Sequence, residues 1–411
     1  MNRKLSKRAA GILAALITAS CLLLPGCFGK GQTRPEPSPE AAFSAAPSEA
    51  LTEAPTAEPT PAPTEEPAEH RAVREALESM SLEEKIGQLM MFGFIGLEKP
   101  EGASKALFER FPIGNAVIFS SNIDRTQDGG FSSAKRLTEG IESEYPCPVE
   151  RLFAADVEGG SVVRFNWEPK IPSPAKLGKK TSEEVRELFS GIGGRLTGCG
   201  IGLDLAPVFD IAEEPEKSFL GNRIISSDLE TVISIGGAMI GGLHDGGCLS
   251  CAKHFPGHGG TGADSHSETP VVYRTRGELY DYDLAAFRGA IEAGADCVMT
   301  AHALYPVLDG ENVATLSHTI ITEILRGELG FDGVVISDDM LMQGVSSSCE
   351  PAEAALRFIE AGGDMILCGA DPGVQESIFL ALIEAVNSGR IDEARIDESA
   401  ERVLRLKLRF D

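Results

Sequence analysis

Val334-Val335-Ile336-Ser337-Asp338-Asp339 is an apolar, largely β-branched run that breaks directly into two carboxylates. Branching at Cβ favours extended backbone. A continuous apolar run, rather than an alternating one, marks a parallel strand buried on both faces. Such a strand carries its chemistry only at its C-terminal end. The same design recurs along the chain, as Leu89–Phe94, Ala116–Phe119, Leu152–Ala155, Leu203–Val208, Ser250–Lys253, Cys297–Ala301, Gly333–Ser337 and Asp364–Leu367. From the third onward each runs into a polar or glycine-bearing cluster: Asp156–Gly160, Phe209-Asp210, Lys253–His258, His302, Ser337–Asp339 and Cys368-Gly369. Helix-like stretches lie between them, among them Ser182–Leu196, Leu229–Leu243, Asp283–Ala293, Thr319–Leu329 and Ala352–Glu360. Glu376–Asn387 and Glu398–Leu408 complete an outer ring. Repeated βα units with polar strand ends in phase predict an α/β fold, a (β/α)8 TIM-type barrel whose active face gathers those ends.

The first seventy residues read differently. Arg3, Lys4, Lys7 and Arg8 precede an apolar run, Gly11 to Leu24, and then Pro25-Gly26-Cys27. A basic start, a short apolar core and a small residue before the break describe a secretory signal over residues 1–26 rather than a membrane span. Leu24–Cys27 also resembles a bacterial lipobox, although Pro25 is unusual there. That resemblance implies acylation of Cys27 and an extracytoplasmic lipoprotein held to the cell membrane by its lipid alone. Residues 27–70 are Pro, Glu, Ala, Thr and Ser with few large apolar side chains, so they predict a disordered tether. Residues 71–411 are left for one catalytic barrel, a usual length for that fold. The formal charge of −25 argues against nucleic acid and against electrostatic adhesion to an anionic membrane. Seven of the nine cysteines fall after Cys27, an odd number set mostly among apolar neighbours, and are read as buried free thiols. Cys248-Leu249-Ser250-Cys251 has redox-motif spacing but enters a strand instead of opening a helix.

Two segments carry the chemistry. One is Lys253-His254-Phe255-Pro256-Gly257-His258-Gly259-Gly260-Thr261-Gly262-Ala263-Asp264-Ser265-His266, the other Val334–Met342. Together with Met80–Gln88, Asp156–Gly160, Arg164, Leu205–Val208, Met299–His302 and Leu325–Gly333, they resemble glycoside hydrolase family 3 in its single-domain β-N-acetylhexosaminidase branch. The resemblance implies a retaining exo-β-N-acetylhexosaminidase that takes terminal N-acetylglucosamine from cell-wall or chitin-type oligosaccharides, acts as a monomer and needs no metal or other cofactor. It implies Asp338 as nucleophile, His266 as acid/base with Asp264 orienting it, and Asp156, Arg223, Lys253 and His254 as ligands of the terminal sugar. Family members often carry Asp where this chain has Gly260.

The residue chemistry is compatible with those roles. Retaining glycosidases need a carboxylate at the anomeric carbon and a proton donor at the leaving oxygen. An imidazole titrates near neutral pH and can donate in one step and accept in the next. Asp339 is expected to face away from Asp338 and make a structural hydrogen bond. Arg164 and Glu158 are expected to pair with each other or with backbone, and His258 and His302 to support loop or core. His70, His244 and His318 look incidental. Other readings are a zinc hydrolase built on His254, His258, Asp264 and His266, for which the spacing is loose; a sugar-binding lipoprotein without turnover; a phosphorylase, since a His acid/base repels phosphate less than a carboxylate would; and a β-glucosidase of the same family.

Overall fold

The computed structural model describes residues 68–410. The expected signal, Cys27 and most of the expected tether lie outside them. The end of that tether does not: Ala68 opens a helix, Ala68–Ser79, so the folded part begins slightly ahead of Arg71.

Eight parallel strands follow, β1 Met90–Phe92, β2 Asn115–Val117, β3 Leu152–Ala155, β4 Leu203–Asp204, β5 Leu249–Phe255, β6 Cys297–Thr300, β7 Val334–Ser337 and β8 Ile366–Cys368. They pair in the order β7-β6-β5-β4-β3-β2-β1-β8. A bridge between Ile336 and Met365 joins β7 to β8 and brings the ring round to closure. All eight expected strands exist, and the barrel is the fold. The fourth is the most over-extended expectation: its regular pairing ends at Asp204, and Leu205–Val208 keeps only separate bonds to Ala155, Cys251 and Lys253 and a bridge from Val208 to Lys253. The fifth runs further than expected, from Leu249 to Phe255, so His254 sits within the strand beside Lys253 instead of just past its end.

Alternation along the strands sorts the apolar residues into two layers. Met91, Val117, Leu152, Ala154, Leu203, Leu249, Cys251, Cys297, Met299, Val334, Ile336 and Leu367 fill the interior of the ring. Their neighbours Met90, Phe92, Ala116, Phe153, Ala155, Ala252, Val298, Val335 and Ile366 face outward into the larger core beneath the helices. Because both faces are covered, the strands read as unbroken apolar runs although each is strictly two-sided.

The outer helices include Gly102–Arg110, Phe131–Glu144, Ser182–Thr197, Leu229–Asp245, Leu284–Glu292, Pro351–Glu360, Pro372–Asn387 and Glu393–Leu408. The stretch Thr319–Glu328 takes the expected place but winds with wider π-type turns. Two short antiparallel ribbons escaped the sequence reading, Val157–Gly159 with Val162–Val163, and Leu304–Tyr305 with Asp309–Val313. Both stand on the C-terminal face of the barrel. The remaining cysteines are free, as expected; Cys199, Cys248, Cys251, Cys297 and Cys368 are buried, and Cys147 and Cys349 half-buried.

Candidate active site

The interior register explains which polar residues meet. Ala154, Cys251 and Ile336 point into the ring, and side chains two residues apart share a face. Two steps on lie Asp156, Lys253 and Asp338. Each is the next inward position of its strand, placed where the apolar filling stops. They line one cavity of about 310 Å3 with Glu158, Arg164, Arg223, His254, His258 and His266. Its floor is apolar, made by Val117, Phe119, Leu205, Met299 and Leu367. The volume is at the small end for ligand pockets and suits one terminal unit of a larger molecule.

Lys253 is only 3% exposed and lies 2.8 Å from Asp156 Oδ1 and 2.7 Å from Glu158 Oε1. Asp156 Oδ2 in turn accepts from Arg164 Nη2 at 2.6 Å. Glu158 takes a two-pronged bond from Arg223, with Nε and Nη2 each at 2.8 Å. Charges therefore alternate along a chain Arg164–Asp156–Lys253–Glu158–Arg223. Burial opposes ionisation of both carboxyls, but Lys253 and the arginines prevail and hold Asp156 and Glu158 below the usual carboxylate range. Burial likewise opposes the ammonium of Lys253, and the two carboxylates overcome it and push its pKa up.

Asp338 is half-buried, and one oxygen accepts the Asp339 N–H at 2.8 Å. Burial again works against its charge; His302, His254, that N–H and Lys253 keep it below the ordinary range. A carboxylate so held is ionised and available for attack. Asp339 accepts from the N–H groups of Gly369 at 2.8 Å and Leu341 at 3.0 Å, the expected structural role, although it also borders the cavity.

His254 is fixed by Asp210, which sits 2.7 Å from Nδ1 and also accepts the His254 backbone N–H at 3.1 Å. The same carboxylate accepts the N–H of His258. His258 is buried, and neither ring nitrogen has a protein partner; desolvation lowers its pKa to about 4, so the ring is neutral. His302 spans Thr315 Oγ1 at 2.8 Å and the Asp339 carbonyl at 3.1 Å, a core-supporting role as expected.

His266 stands apart from these buried groups. It lines the cavity but is well exposed, on the loop after β5, with Nδ1 2.8 Å from Asp264 Oδ1. The same oxygen accepts the His266 backbone N–H at 2.9 Å. That N–H is the main reason the Asp264 carboxyl lies below its usual range, with the imidazole adding to it. Asp264 supports the ring without lining the cavity. A carboxylate on Nδ1 leaves Nε2 as the nitrogen that can exchange a proton with a bound molecule.

Six of the seven expected site residues thus converge on one cavity, and the seventh, Asp264, stands directly behind the His266 imidazole. The expected pairing of Arg164 with Glu158 is corrected: Arg164 binds Asp156 and stacks over Phe119, 5.4 Å from the ring centre, while Glu158 belongs to Arg223 and Lys253. The reason is the ribbon Val157–Gly159, which turns Glu158 toward β5. His258 also lines the cavity, beyond a purely supporting role. His244 is not incidental, being bonded to the buried Asp296 at the opposite end of the barrel. Asp210, which organises two histidines, was visible only as a carboxylate at a strand end.

Comparison with known proteins agrees with this picture. The sequence profile described as "Glycosyl hydrolase family 3 N terminal domain" matches residues 81–406. A β-hexosaminidase of Tolumonas auensis is 37% identical over 262 residues, covering 62% of this chain and 75% of the relative. β-Hexosaminidase A of Pseudoalteromonas piscicida is 28% identical over 370 residues and 80% of this chain, which spans about 62% of that protein's length. Among solved structures, a family 3 β-N-acetylglucosaminidase from Paenibacillus sp. str. FPU-7 superposes with a TM-score of 0.76 at 36% identity, covering 81% of this chain and 63% of that one.

Replacing Lys253 with Met should cost about 3–5 kcal/mol at pH 7.5, since two buried carboxylates lose the ammonium they share and each is left with one arginine. In the wild type those groups titrate below their unfolded values, so their contribution is present at neutral pH and is lost only as pH falls through the acid range. In the variant each carboxyl titrates higher than in the wild type, so less of that contribution remains to be lost. Urea titrations at pH 7.5 and at about pH 4 should show a smaller deficit at the lower pH; an equal deficit at both would mean that Lys253 does not hold the two carboxyls down.

Proposed function

The chain belongs to glycosyl hydrolase family 3, among its β-hexosaminidases, and on that footing we propose that it removes terminal β-linked N-acetylglucosamine from oligosaccharides with retention of configuration. The observation that carries this reading is one small cavity lined by both an ionised carboxylate, Asp338, and an imidazole backed by a carboxylate, His266. Binding alone requires neither.

In the first step an Asp338 oxygen attacks the anomeric carbon as the bond to the leaving oxygen breaks. His266 gives that oxygen its proton, so the leaving group departs neutral. In the second step His266 takes a proton from water, the hydroxide attacks the same carbon, and Asp338 is released as carboxylate. Asp156, Arg223, Lys253 and His254 hold the sugar hydroxyls. Asp156 and Lys253 hold one another, Glu158 holds Arg223 and Asp210 holds His254, so all four are ordered before substrate arrives and little ordering cost is left for binding. Among the described residues no group of three or more His, Cys, Asp or Glu is arranged to hold a metal ion, and no step above calls on one. The leader and Pro-rich segment extend the proposal: residues 1–26 export the chain, Cys27 anchors it through lipid outside the cytoplasm, and 27–67 let the barrel reach wall-derived saccharides.

Asp338→Asn should abolish turnover with the unfolding midpoint unchanged. A slow 2-fluoro glycoside should label Asp338 in the wild type; labelling elsewhere would remove the assignment. For His266→Ala, kcat/KM should fall on chitobiose by about 10²–10⁴, the usual worth of a general acid. An activated 4-nitrophenyl glycoside, which needs no proton, should lose far less, and equal losses would exclude His266 as acid. A chain starting at Ala68 should match the full protein on the aryl substrate and leave the membrane fraction, as should Cys27→Ala. Activity staying with membranes in both would refute the anchor.

A further inference from the structure

The loop that carries His266 is joined to the loop that follows the nucleophile. Ser265 is buried, although Asp264 and His266 on either side of it are not. Its carbonyl accepts the N–H of Gly344 at 2.8 Å. Thr269, further along the same loop, donates from Oγ1 to the Gly344 carbonyl at 3.2 Å and lies 2.6 Å from Ser347 Oγ. Gly344 opens the short helical turn Gln343–Ser346 just after Asp338 and Asp339.

Gly344 is at this crossing because nothing larger fits. A Cβ there would stand 2.7 Å from the His302 carbonyl oxygen, 2.8 Å from His302 Cβ and 3.2 Å from Ser265 Cβ. Segments following β5, β6 and β7 therefore meet at one residue. The near arm of the His266 loop is held far less firmly. The Thr261 carbonyl accepts only long bonds from the facing segment, 3.5 Å from the Phe219 N–H and 3.4 Å from Ser218 Oγ, while Thr261 Oγ1 accepts the Ala263 N–H of its own loop at 3.1 Å. Gly259–Gly262 also borders a second cavity of about 300 Å3, so there is room behind that arm for it to withdraw.

From this asymmetry we infer that Thr269 and Gly344 form a latch that fixes the His266 loop against the nucleophile's loop, with Thr269 as a positioning residue for proton transfer. The inference rests on His266 being the acid/base group of the proposed reaction. Thr269 touches no part of the cavity. It acts by holding the segment that includes Ser265, and with it the reach of the adjoining imidazole. The latch contains two hydroxyl contacts and one backbone bond, weak enough individually to be released and placed to be remade when the loop returns.

The test is Thr269→Val, which keeps shape and removes the hydroxyl, with Thr269→Ser as rescue. Two readouts are taken on the whole chain. In the first, kcat/KM for chitobiose should fall about tenfold, a small part of what general acid catalysis supplies, while a 4-nitrophenyl glycoside stays within about twofold by the same reasoning. Thr269→Ser should restore the chitobiose value. In the second, amide hydrogen exchange over residues 259–269 should quicken without change in the unfolding midpoint. A parallel loss on both substrates, or exchange that stays at the wild-type rate, overturns the latch. If the wild type itself turns over neither substrate, the proposed reaction has failed, and exchange alone still decides whether Thr269 latches the loop.

Discussion

An ammonium group inside a barrel has few stable solutions. Lys253 occupies an inward-facing position directly above the apolar filling, where leaving a charge unpaired would cost several kcal/mol. The structure answers with two carboxylates, Asp156 at the end of β3 and Glu158 in the ribbon that follows it, and each of these is answered by an arginine. The charge chain fixes the orientation of Asp156 and Glu158, sets where Arg164 and Arg223 rest, and gives the pocket wall its shape. It also contributes to the field that keeps Asp338 ionised. Arg223 reaches toward His254, whose Nε2 it approaches at 3.5 Å, so the same network borders the Asp210–His254 pair. Remove the lysine and the chain breaks into two separate arginine–carboxylate pairs, Arg164 with Asp156 and Arg223 with Glu158.

This arrangement separates the two tasks of the site. The buried groups are locked by one another and by strand geometry, which suits binding and the nucleophilic role proposed for Asp338. His266, the proposed proton donor, is mounted on an exposed, glycine-rich loop and backed by a single carboxylate. Rigid elements position charges well, and loops admit and release substrate. A saccharide cleaved at its end must enter and leave a small pocket, so placing the movable group at the rim is consistent with its chemistry.

Much of this was legible in the chain. Apolar runs such as Val334–Ile336 and Cys297–Met299 announce buried parallel strands because both faces are covered, and the in-phase polar ends announce the active face. Asp156, Lys253 and Asp338 each stand at a strand's mouth, so their convergence follows from that phase, whereas the roles expected of them and of His266 came from the family resemblance. What could not be read was pairing. Glu158 and Arg164 are close in sequence, yet a two-residue ribbon turns them toward different partners, and ribbons that short leave no periodic signal. The strand β4 was over-extended for a different reason: Leu205–Val208 has the composition of a strand and keeps separate bonds to its neighbours, but Pro207 has no N–H with which to continue the ladder. The contacts of Ser265, Thr269 and Gly344 join positions far apart in the chain and carry no pattern at all.

The alternation that builds the interior also has a consequence for how such a chain can change over time. A strand works as a reading frame of two: shifting β7 by one residue would bring Ser337 inward and turn Asp338 out into the helix layer, exchanging a carboxylate for a hydroxyl. Insertions and deletions are therefore tolerable in the helix connections, where length has no phase, and ruinous within the strands. Lineages descended from such a barrel should vary freely in the lengths of their loops while the short distance from apolar floor to charged rim stays fixed.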